Sequence, residues 1–224
     1  MLDFSLPYHS YCEMSSGPVA EPLNVFSCII FWIVSAWVFV KRDDESSGFH
    51  ELAAVVLFVL GTAGMVWHAT LDRLAFAFDI IALYMLMALV VTMLCNNVLK
   101  WPLWGSMATV TALIFASAWL KDSGLPWLPQ QGGAFLPPLL FLAVVSLAVQ
   151  TRSEKATVYL LSGAYALLLG LAARSLDLYF CYKIAIGLHF LWHIGVALFV
   201  VYVTRALAVL NTLPPVKRES PDTP

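Results

Sequence analysis

The sequence predicts an all-α membrane protein, a seven-transmembrane helix bundle with its N-terminus outside and its C-terminus cytoplasmic. Three observations carry that prediction. Of 224 residues 61% are hydrophobic and 12% charged, with a mean hydropathy of +0.83, whereas about a quarter of the residues in a soluble domain are charged. Apolar runs approaching or exceeding the roughly 20 residues a helix needs to cross a bilayer recur seven times. Lysines and arginines fall unevenly on the two sides that alternating runs define.

The first run, 24–41, follows a segment, Met1 to Pro22, with no Lys or Arg and no long apolar core. That segment does not read as a secretory signal peptide, so the first run must serve as the targeting element. The second run, 50–70, ends on Trp67 and His68. The third, 75–96, has Asp79 near its start. The fourth, 102–119, lies among Trp101, Trp104, Trp119 and Trp127, the interfacial belt expected at span ends. The fifth, 134–150, opens with Pro137 and Pro138, which a first helical turn tolerates. Asp177 follows the sixth, 155–174, and His189 and His193 come early in the seventh, 183–207. Connections are short and polar, and the longest, Lys121 to Gly133, is rich in Pro and Gly. Residues 1–210 thus read as one domain. Residues 211–224 combine a Pro-Pro pair, mixed charge and no apolar period, the pattern of a disordered tail.

With the N-terminus outside, the inner side holds eight basic residues, Lys41, Arg42, Lys100, Arg152, Lys155, Arg205, Lys217 and Arg218. The outer side holds four, Arg73, Lys121, Arg174 and Lys183. The excess sets the orientation. A net charge of −2 gives no reason to expect a nucleic-acid partner.

Ionisable residues inside a membrane mark functional sites by default. Even-numbered spans end on the side of the N-terminus, and the odd spans after them begin there. His68, Asp79, Asp177, His189 and His193 therefore gather on that side, with Glu13, Glu21 and Asn24 just before the first span. His189 and His193 are four apart, on one face of a helix. Three imidazoles, His68, His189 and His193, suit one zinc ion with a fourth position left for water, the pattern of catalytic zinc. Asp79, eleven residues beyond His68, suits a general base; the alternative is a carboxylate that only orients a histidine. Haem is the competing cofactor, but it would want two histidines on facing helices, whereas His189 and His193 share one face.

These pieces resemble the alkaline ceramidase family, within the superfamily of the adiponectin and progestin receptors. The resemblance rests on Tyr11-Cys12-Glu13, Glu21-Pro22-Leu23-Asn24, Trp67-His68-Ala69-Thr70-Leu71, Asp79, Leu176-Asp177-Leu178-Tyr179-Phe180-Cys181, and His189 and His193 around Trp192, in that order across residues 11 to 205. It implies an intramembrane zinc amidase that cleaves ceramide-like lipids to a sphingoid base and a fatty acid. His68, His189 and His193 would bind zinc and Asp79 would be catalytic. It also implies a Cys12–Cys181 disulfide, with Asp177 supporting a zinc histidine or the bridge. Cys28 and Cys95, within spans, read as buried small hydrophobes.

Two departures stand out. Gly64 occupies the place where the family usually has a serine, a hydrogen-bond donor near the metal-bound water, leaving Tyr179 or Thr70 as substitutes. In the family's calcium site Glu13 and Glu21 remain, but Ser10 and Ser15 replace the usual Asp and Asn. Calcium wants six to eight oxygens, so calcium binding and simple capping of the first span by Glu13 and Glu21 both stand open. Two further functions follow from Gly64: an amidase for other N-acyl lipids, or a receptor-like protein that keeps zinc without turnover. The brevity of the chain and the lack of a targeting sequence point to a bacterial inner membrane, with the site towards the periplasmic side. The sequence leaves the oligomeric state open.

Overall fold

The structure, a computed structural model, describes residues 11–41, 47–122 and 133–213. Among them the chain is helices joined by turns, with no strand. The helices are α1 (Pro22–Ser27), α2 (Ile29–Val40), α3 (Ser47–Thr70), α4 (Arg73–Asn97), α5 (Leu103–Asp122), α6 (Leu136–Gln150), α7 (Glu154–Phe180) and α8 (Phe190–Asn211). The tail 214–224 and residues 123–132 of the Lys121–Gly133 connection lie outside the described residues, as does Ser10.

Six helical stretches among the described residues are long and apolar enough to cross a membrane, counting α1 and α2 as one, Pro22–Val40. The fifth of the expected spans is shorter. α6 has 15 residues, about 22 Å at 1.5 Å per residue against a hydrocarbon core near 30 Å. Pro137 sits in its first turn, where a missing N–H costs nothing.

Two expected boundaries move. α7 runs on to Phe180, so Asp177 lies inside the helix rather than after it. α8 starts only at Phe190, and residues 181–189 form turns. Gly187 adopts φ +68° there, a conformation that favours glycine. A Cβ on Gly187 would also stand 3.0 Å from the Cys12 Cβ. The apolar pattern of 183–189 looks helical, but the N–H groups of Leu188 and His189 are claimed by Asp177, and that contact is invisible to periodicity.

Helices α7 and α8 make the most extensive pair. They approach through glycine: a Cβ on Gly195 would stand 2.7 Å from the Ala166 carbonyl oxygen, and one on Gly170 would stand 3.2 Å from the Gly195 Cα. Small residues at such crossings let helices in lipid pack backbone to backbone. Large apolar side chains such as Phe26, Ile33, Phe58, Phe115, Trp119 and Leu147 point outward, as a lipid-facing surface requires. The turn between α3 and α4 is two residues, Leu71 and Asp72, with Asp72 capping Ala75 N–H at 2.9 Å. That short turn holds His68 and Asp79 at the same end of neighbouring helices.

Candidate metal centre

Three imidazoles meet at one end of the bundle. The ring centroids of His189 and His193 are 4.7 Å apart, those of His68 and His193 5.1 Å, and those of His68 and His189 5.2 Å. All three side chains are buried, with exposures of 0%, 1% and 5% for His68, His189 and His193. A buried imidazole without hydrogen bonds is costly, so the fate of each nitrogen matters.

The His68 Nδ1 lies 2.6 Å from the Glu21 Oε2, which also accepts from Asn24 Nδ2 at 3.0 Å. A carboxylate only accepts, so the proton sits on Nδ1 and the lone pair on Nε2. His68 Nε2 has no partner among the described residues. His193 follows the same logic. The Ser27 hydroxyl donates to the Asn24 carbonyl at 2.8 Å, and its oxygen lies 2.6 Å from His193 Nδ1. Its one proton being spent, Ser27 must accept from Nδ1–H, which leaves Nε2 as a donor to a metal. His189 stacks on Tyr11 with centroids 3.5 Å apart, and neither of its nitrogens has a partner among the described residues. Asp177, fully buried, positions its backbone: one oxygen accepts from the Leu188 N–H and from the His189 N–H at 3.0 Å, the other from the Cys12 N–H at 2.7 Å. Partners that fix the tautomer and leave Nε2 bare are the usual outer support of metal-ligating histidine.

Cys12 and Cys181 form a disulfide, Cα–Cα 5.2 Å, tying the N-terminal segment to the turn after α7. Both oxygens of Glu13 are engaged, at 2.6 Å by the Leu23 N–H and 2.9 Å by the Asn24 N–H. Glu13 therefore caps the first turn of α1, which favours the capping role over calcium for this carboxylate. Burial raises the Glu13 carboxyl above its ordinary range, with these two N–H groups pulling the other way. Glu21 instead serves His68 and Asn24.

Asp79 on α4 faces Gly64 on α3. A Cβ on Gly64 would stand 3.1 Å from the Asp79 Oδ1 and 2.9 Å from the Cys28 Sγ. Neither substitute donor stands ready there. Thr70 gives its hydroxyl proton to the Val66 carbonyl at 2.7 Å, and Tyr179 is 67% exposed.

Several neighbours escape sequence reasoning. Cys28, at the break between α1 and α2, forms with His68 and His193 a set of ligand atoms all within 4.8 Å of one another. His189 lies beside that set, not in it. Arg174, counted with the outer loops, is buried at 8% exposure. Its guanidinium lies 5.4 Å from the Trp192 ring, 5.5 Å from Phe135 and 5.7 Å from Tyr11, so Trp192 packs inward and does not face lipid. The one available signal was the i, i+3 spacing of Arg174 and Asp177 on a single helix face.

A cleft of about 410 Å³ opens between α3 and α4, lined by Phe58, Ala63, Val66, Leu74, Ala75 and Phe78 among others. Ala63 and Phe78 are the chain neighbours of Gly64 and Asp79. Compared with models of protein families the chain matches none, and a comparison with curated proteins likewise finds no match.

Proposed function

We propose that this protein is an integral-membrane, metal-dependent hydrolase that cleaves the amide bond of ceramide-like N-acyl lipids. The bare, buried imidazole nitrogens of His68 and His189 carry the proposal, together with the fixed tautomer of His193. Nitrogen donors of borderline softness suit zinc, held by His68, His189 and His193. When bound, such an ion activates water and polarises a carbonyl. Asp79 then takes a proton at a carboxylate oxygen and returns it to the leaving amine. Glu21 and Ser27 hold two of the imidazoles in the tautomer that binds metal. The apolar cleft between α3 and α4 has the size of a ligand site and supports sideways entry of a lipid, while water comes from the polar end. α6 completes a seven-span bundle with the N-terminus and the site on the outer side.

The test is fatty-acid release from a panel of N-acyl lipids by the detergent-purified protein, beside elemental zinc analysis, with His193→Ala and Asp79→Ala in parallel. One zinc per chain, with hydrolysis lost in both variants and zinc retained in Asp79→Ala, is the expected result. A wild-type chain without metal would refute the proposal. Zinc without cleavage of any lipid would favour the second reading, a receptor-like zinc protein, to which the glycine at position 64 and the sulfur beside it lend support.

A further inference from the structure

We infer that Cys28 is a ligand of this metal, so that the resting centre is a four-donor set of three imidazoles and one thiolate. This rests on the metal centre proposed above and does not require the hydrolase activity. Several features aim the thiol at the site. The first span breaks at Cys28, between α1 and α2, and the break presents Ser27 and Cys28 together to His193. The Cys28 Sγ lies 3.8 Å from His193 Nδ1 and 4.0 Å from Nε2. Sulfur and nitrogen sharing one tetrahedral zinc are roughly 3.6 Å apart, given bonds of about 2.3 and 2.0–2.1 Å, so a shift of a few tenths of an ångström brings Cys28 and His193 to ligand spacing, while His189, beside the group, moves further to join it. Gly64 provides the room: a Cβ there would stand 2.9 Å from the sulfur. The sulfur is fully buried, and it shares a group of ligand atoms within 4.8 Å of one another with His68, whose buried Nε2 has no partner among the described residues.

On binding, the thiol exchanges its proton for the metal, and the proton leaves to the buffer. Four protein donors make a closed sphere. With Cys28, His68, His189 and His193 all bound, the ion would keep no place for water, so hydrolysis at this centre would need one of these donors to leave first. The donor set selects thiophilic ions such as zinc and cobalt over magnesium or calcium.

Cobalt(II) titration of the purified full chain tests the assignment. Wild type should bind one cobalt per chain and show a near-ultraviolet thiolate-to-cobalt charge-transfer band. Cys28→Ser should lose that band while still taking up cobalt at higher concentration. Zinc-edge X-ray absorption on the wild-type protein needs no variant and should show one sulfur near 2.3 Å among nitrogens. Cobalt bound without the band, a band that survives in Cys28→Ser, or a zinc shell without sulfur would each overturn the assignment and leave the hydrolase proposal standing. A sulfur-bearing shell in a protein that cleaves no lipid would uphold the thiolate and remove the hydrolase. A wild type that binds neither ion would end both.

Discussion

Glu21 is the residue whose loss should be felt most sharply at the metal. Its carboxylate holds the His68 tautomer at 2.6 Å and is itself held by Asn24. Outer carboxylates of this kind are worth about 10–100-fold in metal affinity. Glu21→Ala should weaken zinc binding by about that factor in a chelator competition, with Glu21→Gln losing less; equal affinity in all three proteins would show that the carboxylate does not orient the ligand. Gly64 gives a prediction of opposite character. A serine here would restore the missing hydroxyl, yet its Cβ would press on the Cys28 sulfur. Gly64→Ser alone should therefore bind metal less well, whereas in a Cys28→Ala background, with no sulfur to press on, the same change should cost no further affinity; if the single variant binds zinc as wild type does, the sulfur is not wedged against Gly64. The meeting of His68, His189 and His193 was legible in the sequence, because alternation of spans puts them at one end whatever the packing. Cys28 and Arg174 were not. A cysteine in an apolar run looks like any small hydrophobe, and an arginine near a span end looks like a loop charge. Only packing shows that one faces imidazoles and the other three aromatic rings.

At the scale of elements, the α7–α8 corner fixes where His189 and His193 stand. Gly195 touches the backbone of α7, two residues after His193, so Gly195→Ala overpacks a rigid contact, at a cost of about 1–3 kcal/mol. A lowered melting temperature together with weaker zinc retention is expected, and an unchanged protein would show that the helices part easily. The Cys12–Cys181 bridge closes a separation of 169 residues, and such bridges stabilise by about 2–4 kcal/mol. Reduction should lower the melting temperature and free the N-terminal segment that stacks Tyr11 on His189. If reductant changes neither stability nor metal content, Asp177 alone holds the corner. The sequence placed most helices to within a few residues, because apolar length is a strong signal. It misjudged 175–189 in part because Leu188 and His189 give their N–H groups to Asp177, a tertiary contact that overrides apolar pattern.

For the whole molecule the question is how the proposed lipid substrate would reach a buried centre. One end of the bundle carries the histidines, the disulfide and the capped N-terminal segment. The cleft between α3 and α4 opens instead on the flank, and its walls include Ala63 and Ala75. Small residues there leave a gap between helices where larger ones would seal it. Side chains alternate at this seam: Ala63 and Phe78 line the cleft, while Gly64 and Asp79 face each other inside. An acyl chain lying in the cleft would thus bring its amide to the inner side of the same turn of helix. Ala63→Trp should fill the cleft without touching a metal donor. The expected outcome is wild-type zinc content and melting temperature with lipid hydrolysis lost, the loss being greatest for long acyl chains. Full activity on long-chain substrates in that variant would mean that the lipid enters elsewhere, and the opening between α3 and α4 would then be a feature of packing in the bilayer rather than a route to the metal.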